Sequence, residues 1–189
     1  MSPLSSFLLL SMFVLFIPQS YSSSVHNTTQ PTNQTIYNLS KSLCFSCLSD
    51  ALEFLYAHNL VRLTHWELPL VWDPQLAAYA SWWAGQRKSD CRLQHSFPEG
   101  GFELGENIFW GGGSDWKPKD AVWAWAGEEK DYLFETNACV PGQVCGHYTQ
   151  IVWRTTRRVG CARAVCDDGD EFMICNYYPP GNVVGERPY

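Results

Sequence analysis

Clustered positive charge is missing from this 189-residue chain: 13 basic side chains stand against 19 acidic ones, for a formal net charge of -6. With a sequence pI near 5.3 and no basic tract, nucleic acid is not an expected partner, because phosphate binding needs concentrated Lys and Arg. HExxH, GxSxG and a phosphate loop are also absent, which removes three common catalytic signatures. Gly111-Gly112-Gly113-Ser114 is glycine-rich but lacks the Lys of a phosphate loop and reads as a flexible turn. There is no internal repeat. Beyond the first twenty residues no apolar run is long enough to anchor the chain in a bilayer, so no transmembrane anchor is expected.

What is present points to a globular protein outside the cell. Hydrophobic residues make up 46% and charged ones 17%, which suits a packed core rather than a disordered chain. Phe7 to Ile17 is apolar apart from Ser11, too short to span a membrane but suited to a secretory signal, with Ser20 and Ser22 as small residues before cleavage. Residues 1–22 are therefore assigned to a signal peptide. Residues 23–48 read as a polar flexible linker carrying three glycosylation sequons, at Asn27, Asn33 and Asn38. The folded domain is expected over 49–189. Eight cysteines in an oxidising compartment favour disulfides, although eight allow 105 pairings. Cys44 and Cys47 form a CxxC outside any thioredoxin-like context and read as a local bridge.

Local signals place three helices and then strands. Ser49 or Asp50 is expected to cap a helix running to about Leu63. Asp73 before Pro74 opens a second helix with Leu76, Ala80, Trp83 and Ala84 on one stripe, ending before Cys91. Residues 92–117 read as loop, and a third helix opens at Pro118 with Val122, Trp125 and Ala126. Tyr148–Arg154, Val159–Val165 and Glu171–Tyr177 have strand composition, and Asp167-Asp168-Gly169-Asp170 signals a hairpin turn. The tail from Pro179 to Tyr189 is expected to be extended. Helices followed by antiparallel strands suggest a helix-and-sheet sandwich.

Of five histidines, His26 lies in the linker, His65 is expected exposed, and His58 reads as a buried structural residue. His95 follows a cysteine-anchored helix end and His147 follows Gly146. With Glu106 and Glu128 they would suit a divalent metal or acid–base work.

Several motifs resemble one family. Cys145-Gly146-His147-Tyr148-Thr149-Gln150-Ile151-Val152-Trp153 and Cys175-Asn176-Tyr177-Tyr178-Pro179-Pro180-Gly181-Asn182 are similar to the two signatures of the CAP superfamily. That superfamily groups cysteine-rich secretory proteins, antigen 5 and plant pathogenesis-related class 1 proteins. Gly105-Glu106-Asn107 and His58-Asn59 with Arg62 also match, and the ending Gly185–Tyr189 resembles the plant branch. The resemblance implies an α+β, three-layer α-β-α sandwich with a central antiparallel sheet. It implies the bridges Cys91–Cys166, Cys139–Cys145 and Cys161–Cys175, and a cleft shared by His95, Glu106, Glu128 and His147, with Glu129 the rival for the third place. His95 and His147 could hold zinc or another divalent cation there, though no cofactor is required. An imidazole–carboxylate network can equally be a polar floor that orders loops, and no strong nucleophile stands beside it, so an enzyme is not the leading expectation.

The function implied is a monomeric, secreted (apoplastic) plant defence protein. It would bind sterols or related lipids, withdraw them from pathogen membranes and inhibit fungi or oomycetes. Trp123, Trp125, Tyr132 and Phe134 are the expected lipid-binding aromatics. Two alternatives are a precursor that releases Pro179–Tyr189 as an immune peptide and a divalent-metal-dependent hydrolase using the cleft.

Overall fold

The computed structural model describes residues 45–96 and 104–189. The expected signal peptide, the three sequons and Cys44 lie outside the described residues. Helix α1 (Phe45–Thr64) begins earlier than Ser49 or Asp50, so the linker expected to reach residue 48 is helical from residue 45. Its inward stripe is Phe54, Ala57, His58, Val61 and Arg62, spaced three and four apart as one helical face requires. After the short strand β1 (Val71–Trp72), α2 (Pro74–Arg87) starts where expected. The Asp73 carboxylate accepts from the N–H groups of Gln75 (2.8 Å) and Leu76 (3.3 Å), satisfying two of the donors a helix start leaves over.

Within the stretch expected to be loop, Gly105–Gly111 forms strand β2. Helix α3 (Pro118–Ala126) is followed by a 3₁₀ turn (Gly127–Asp131) and a small hairpin of β3 (Tyr132–Leu133) and β4 (Ala138–Cys139). The segment expected as a strand from Tyr148 is instead helix α4 (Gly146–Ile151). Strands β5 (Arg158–Val165) and β6 (Glu171–Tyr178) form the predicted hairpin, with Gly169 at φ 93° in its turn. That left-handed angle suits Gly, which has no Cβ to clash. No helix among the described residues is long and apolar enough to cross a membrane.

The main sheet has the order β1-β5-β6-β2, with β5, β6 and β2 antiparallel and β1 joining β5 in parallel. Alternation along β6 builds the three layers. Phe172 and Ile174 point to one face, where they meet Ala80 and Ala84 of α2 together with Ile108, Cys91 and Cys166. Met173, Cys175 and Tyr177 point to the other, where Phe54, Val61, Val122, Trp125, Tyr148 and Ile151 bring in α1, α3 and α4. Gly160 sets the closeness of α2: a Cβ there would lie 2.2 Å from the Ala77 nitrogen and 2.6 Å from the Asp73 oxygen. The bridges join Cys91 to Cys166, Cys139 to Cys145 and Cys161 to Cys175, and Cys47 is also disulfide-bonded.

Candidate functional site

The four candidate polar residues form two imidazole–carboxylate pairs. In the first, Glu106 is the second residue of β2 and faces the α2 side, opposite Asn176 on β6. Its side chain is 0% exposed, so its charge must be met by protein donors. Four meet it: His95 Nδ1 (2.8 Å) and the Ser96 N–H (3.0 Å) on Oε1, and the Ser96 hydroxyl (2.5 Å) and Asn176 Nδ2 (2.9 Å) on Oε2. Tyr79 of α2 donates to Ser96 Oγ at 3.1 Å and steadies that turn. Burial pushes the Glu106 carboxyl up, but the bonds from His95, Ser96 and Asn176 outweigh it and hold it below the usual carboxylate range. The hydrogen bond to Glu106 holds the His95 imidazole above its ordinary value, against burial.

In the second pair, Glu128 lies on the 3₁₀ turn rather than on the third helix, which ends at Ala126. Its Oε1 meets His147 Nδ1 at 2.6 Å, and Oε2 accepts from the N–H groups of His147 (3.0 Å) and Tyr148 (3.4 Å). These are first-turn donors of α4, whose own N-cap, Cys145, offers no side-chain cap. A carboxylate from another element therefore caps this helix. The Trp125 ring stacks beside His147 with centroids 6.2 Å apart. Glu129, the rival, points elsewhere and approaches His65 Nε2 at 3.4 Å.

A buried polar relay lies behind the second pair. Asn107 Nδ2 donates to the His147 carbonyl (3.0 Å) and to the Tyr177 hydroxyl (3.1 Å). His58 meets the same hydroxyl through Nε2 at 2.8 Å, while its Nδ1 meets the Phe54 carbonyl at 2.8 Å. A carbonyl can only accept, so Nδ1 carries the proton and Nε2 accepts from Tyr177. Burial, opposed by the Phe54 bond and aided by Arg62, lowers the His58 pKa to about 4, so the ring is neutral. Arg62, also buried, donates to the carbonyls of Leu68, Ile151, Trp153 and Thr156 and so closes the C-terminal end of α4. Because Glu106 and Asn107 are neighbours on a strand, their side chains point to opposite faces of β2, Glu106 to the first pair and Asn107 to the His147 carbonyl. Among the described residues, the four side chains do not bring three ligand atoms within 4.8 Å of one another.

The four candidate lipid-binding aromatics separate. Trp125 is core, its Nε1 donating to the Ile108 carbonyl at 3.1 Å, and it cannot line an open groove. Trp123 is half exposed and borders a hollow of about 280 Å³ with Val61, Thr64, Ala126, Gly127 and Glu129. Tyr132 and Phe134 belong to an aromatic cluster with Tyr148, Tyr189 and His65; Phe134 stacks on Tyr189 at 5.5 Å and His65 on Tyr189 at 4.9 Å. His65 is thus packed between rings rather than exposed. Beside the cluster, a second hollow of about 250 Å³ is lined by Tyr132, the Cys139–Cys145 bridge, Thr149, Trp153, Val183 and Val184. Arg187 packs on the cluster, its guanidinium over the Phe134 ring and bonded to the Phe134 and Glu135 carbonyls. Ser96, Tyr79 and Asn176 carried no individual sequence signal; Asn107 and Asn176 stand inside motifs already quoted, beside Glu106 and Cys175.

Comparison with known proteins gives a consistent picture. The family profile of cysteine-rich secretory proteins, CAP, matches residues 55–177. The pathogenesis-related protein PR-1 of Medicago truncatula is 52% identical over 138 residues, covering 72% of this chain and 78% of that protein. Pathogenesis-related protein 1C of Nicotiana tabacum is 41% identical over 188 residues, covering 100% of this chain and 96% of the relative. Among solved structures, Na-ASP-1 superposes with a TM-score of 0.65 at 30% identity, covering 75% of this chain but 41% of that longer one.

Proposed function

This chain belongs to the cysteine-rich secretory protein (CAP) family, in its plant pathogenesis-related class 1 branch, and from that premise we propose a secreted defence protein that binds a sterol or related lipid. Withdrawal of that lipid from a fungal or oomycete membrane would inhibit the pathogen. The observation that carries this reading is the Tyr132–Phe134 aromatic cluster beside the hollow of about 250 Å³ with its Val183 and Val184 wall. The half-buried Tyr132 ring in the lining, the exposed Phe134 ring beside it and the Val183–Val184 wall offer apolar burial worth about 0.8 kcal/mol per CH₂ group of a ligand. The Trp123 hollow between α1 and α3 is a second recess of similar size. Disulfides throughout the domain agree with an oxidising, extracellular setting. Titration of the mature protein with a fluorescent sterol should show saturable binding, and Phe134→Ala should weaken it about tenfold. Linear, non-saturable uptake by the wild type would remove the lipid reading.

On this reading the two imidazole–carboxylate pairs order the loops around β2 and α4. Each imidazole has Nδ1 against a carboxylate, the arrangement that orients metal-ligating histidines, so a divalent cation would be held by His95 and His147, although the four side chains do not gather three ligand atoms in this arrangement. When bound, it would supply a Lewis acid. A hydrolase would need both pairs to act together, and loss of a measured activity in both His147→Ala and Glu106→Ala would support that alternative. Release of Pro179–Tyr189 as a peptide would have to undo several contacts, including Arg154 N–H to the Pro188 carbonyl (2.6 Å) and Tyr189 to the Tyr148 hydroxyl (2.8 Å). Peptide mass spectrometry of extracellular fluid tests it.

A further inference from the structure

The turn after α1 opposes two ordinary rules of folding at one residue. Trp66 follows the helix with φ 58°, the left-handed conformation that ends helices and that bulky side chains rarely adopt. Its turn is fixed by bonds from the N–H groups of Trp66 to the Leu63 carbonyl and of Glu67 to the Arg62 carbonyl, both 3.1 Å. Trp66 is also 91% exposed, so the indole gains nothing from the core it left. Leu63, Leu68 and Val71 are exposed beside it, giving four large apolar side chains within nine residues. A strained backbone that presents an indole to solvent is stable only because its surroundings hold it, and such positions concentrate at functional surfaces.

Positive charge frames this apolar tip. Arg154, Arg157 and Arg158 lead into β5, and β5 adjoins the tip directly: the Val71 N–H bonds the Arg157 carbonyl at 2.9 Å and Val71 pairs with Arg158. The carboxylates paired with Arg154 and Arg158 are tucked beneath them, while Glu129, 60% exposed, meets His65 beside the tip. Arg154 is 65% exposed over Glu67 at 9%, and Arg158 48% exposed over Asp73 at 9%. The outward face therefore presents guanidinium groups, although the chain as a whole carries -6. An apolar tip carrying Trp within a rim of Arg fits the boundary of a bilayer, where indole rings lodge at headgroup level and Arg meets phosphate.

We propose that the Leu63–Val71 turn, with Trp66 at its tip and Arg154, Arg157 and Arg158 around it, docks the protein on the surface of an anionic lipid bilayer. The turn adjoins the aromatic cluster through His65 and the Trp123 hollow through Thr64, and the proposal goes beyond lipid binding by fixing how the protein meets a membrane. Trp66→Gly tests it cleanly, because Gly suits the left-handed position and the variant should fold with an equal or higher Tm. The mature protein and the variant are sedimented with sterol-free vesicles of phosphatidylcholine alone or with phosphatidylserine added. The wild type should partition onto the phosphatidylserine vesicles, less so as salt rises, and Trp66→Gly should bind them about tenfold less. Equal binding by the two proteins, or no preference for phosphatidylserine, would overturn the proposal. So would a concentration-dependent dimer in sedimentation velocity that Trp66→Gly abolishes, since the tip would then serve a second copy of this chain. Sterol-free vesicles keep this result independent of whether the hollows bind sterol.

Discussion

Glu106→Gln is the most informative single substitution in the polar site. It keeps the shape of a side chain that is fully buried and accepts four hydrogen bonds, but turns one oxygen into a donor. One pair of donors keeps an oxygen. The other pair meets an amide N–H, from which the Ser96 hydroxyl can accept by rotating and the Asn176 amide by flipping its otherwise unpaired Oδ1 inward. The charge that strengthened all four bonds is lost as well. Hydrogen bonds to a charged group contribute about 1.5–3 kcal/mol each, and partial rescue by Ser96 and Asn176 brings the expected net loss to about 2–3 kcal/mol. In urea unfolding, with m near 2 kcal/mol/M, the midpoint should fall by about 1 M at unchanged m. The pH dependence supplies a second signature. Glu106 lies below its ordinary pKa, so its stabilisation is complete above that ordinary value and is lost as pH falls through the folded one. His95 lies above its ordinary pKa, so its stabilisation is complete below that value and is lost as pH rises through the folded one. The difference between wild type and variant should therefore peak at about pH 5–6 and narrow on both sides. A midpoint shift under about 0.3 M, or a difference flat from pH 3 to about 9, would refute this account of the Glu106 cluster.

Gly160→Ala should destabilise more than an ordinary surface change, by about 3 kcal/mol or more, because the new methyl would meet the backbone of the first turn of α2; thermal unfolding would show it, and an unchanged Tm would show that α2 can move away. Replacing Cys91 and Cys166 by Ala should cost about 4 kcal/mol, since that bridge spans a sequence separation of 75 and restricts the unfolded chain most of the three. The same change at Cys139 and Cys145, six apart, should cost less, and denaturant titrations that reverse this order would contradict the loop-entropy account. Trp125→Phe should lower stability by about 1 kcal/mol through loss of the bond to the Ile108 carbonyl; an unaltered urea midpoint would mean that carbonyl finds water instead.

Where structure follows local chemistry, the sequence was readable. Asp73-Pro74 announced α2, Pro118 announced α3, and the Asp-Gly turn announced the β5–β6 hairpin, because each signal acts within a few residues. Helix α4 was hidden for the opposite reason. Its Tyr, Thr, Ile and Val composition favours a strand, and what ends the helix comes from elsewhere: Glu128 at its start and Arg62 at its finish, 19 and 89 residues away in sequence. Strand β2 escaped notice because most of its residues are buried, which erases the alternation that marks a half-exposed strand. His95, His147, Glu106 and Glu128 stood out by their context, but only the family motifs joined them in one site. Even so, those motifs could not show that the four divide into two hydrogen-bonded pairs, or that Trp125 lies in the core while Tyr132 and Phe134 join Tyr189.

Sterol titration of the mature protein, with and without chelator, tests lipid binding most directly. A saturable isotherm that is unchanged by chelator and weakened in Phe134→Ala is the predicted result. An isotherm abolished by chelator, or no saturation at all with the aromatic cluster intact, would contradict it.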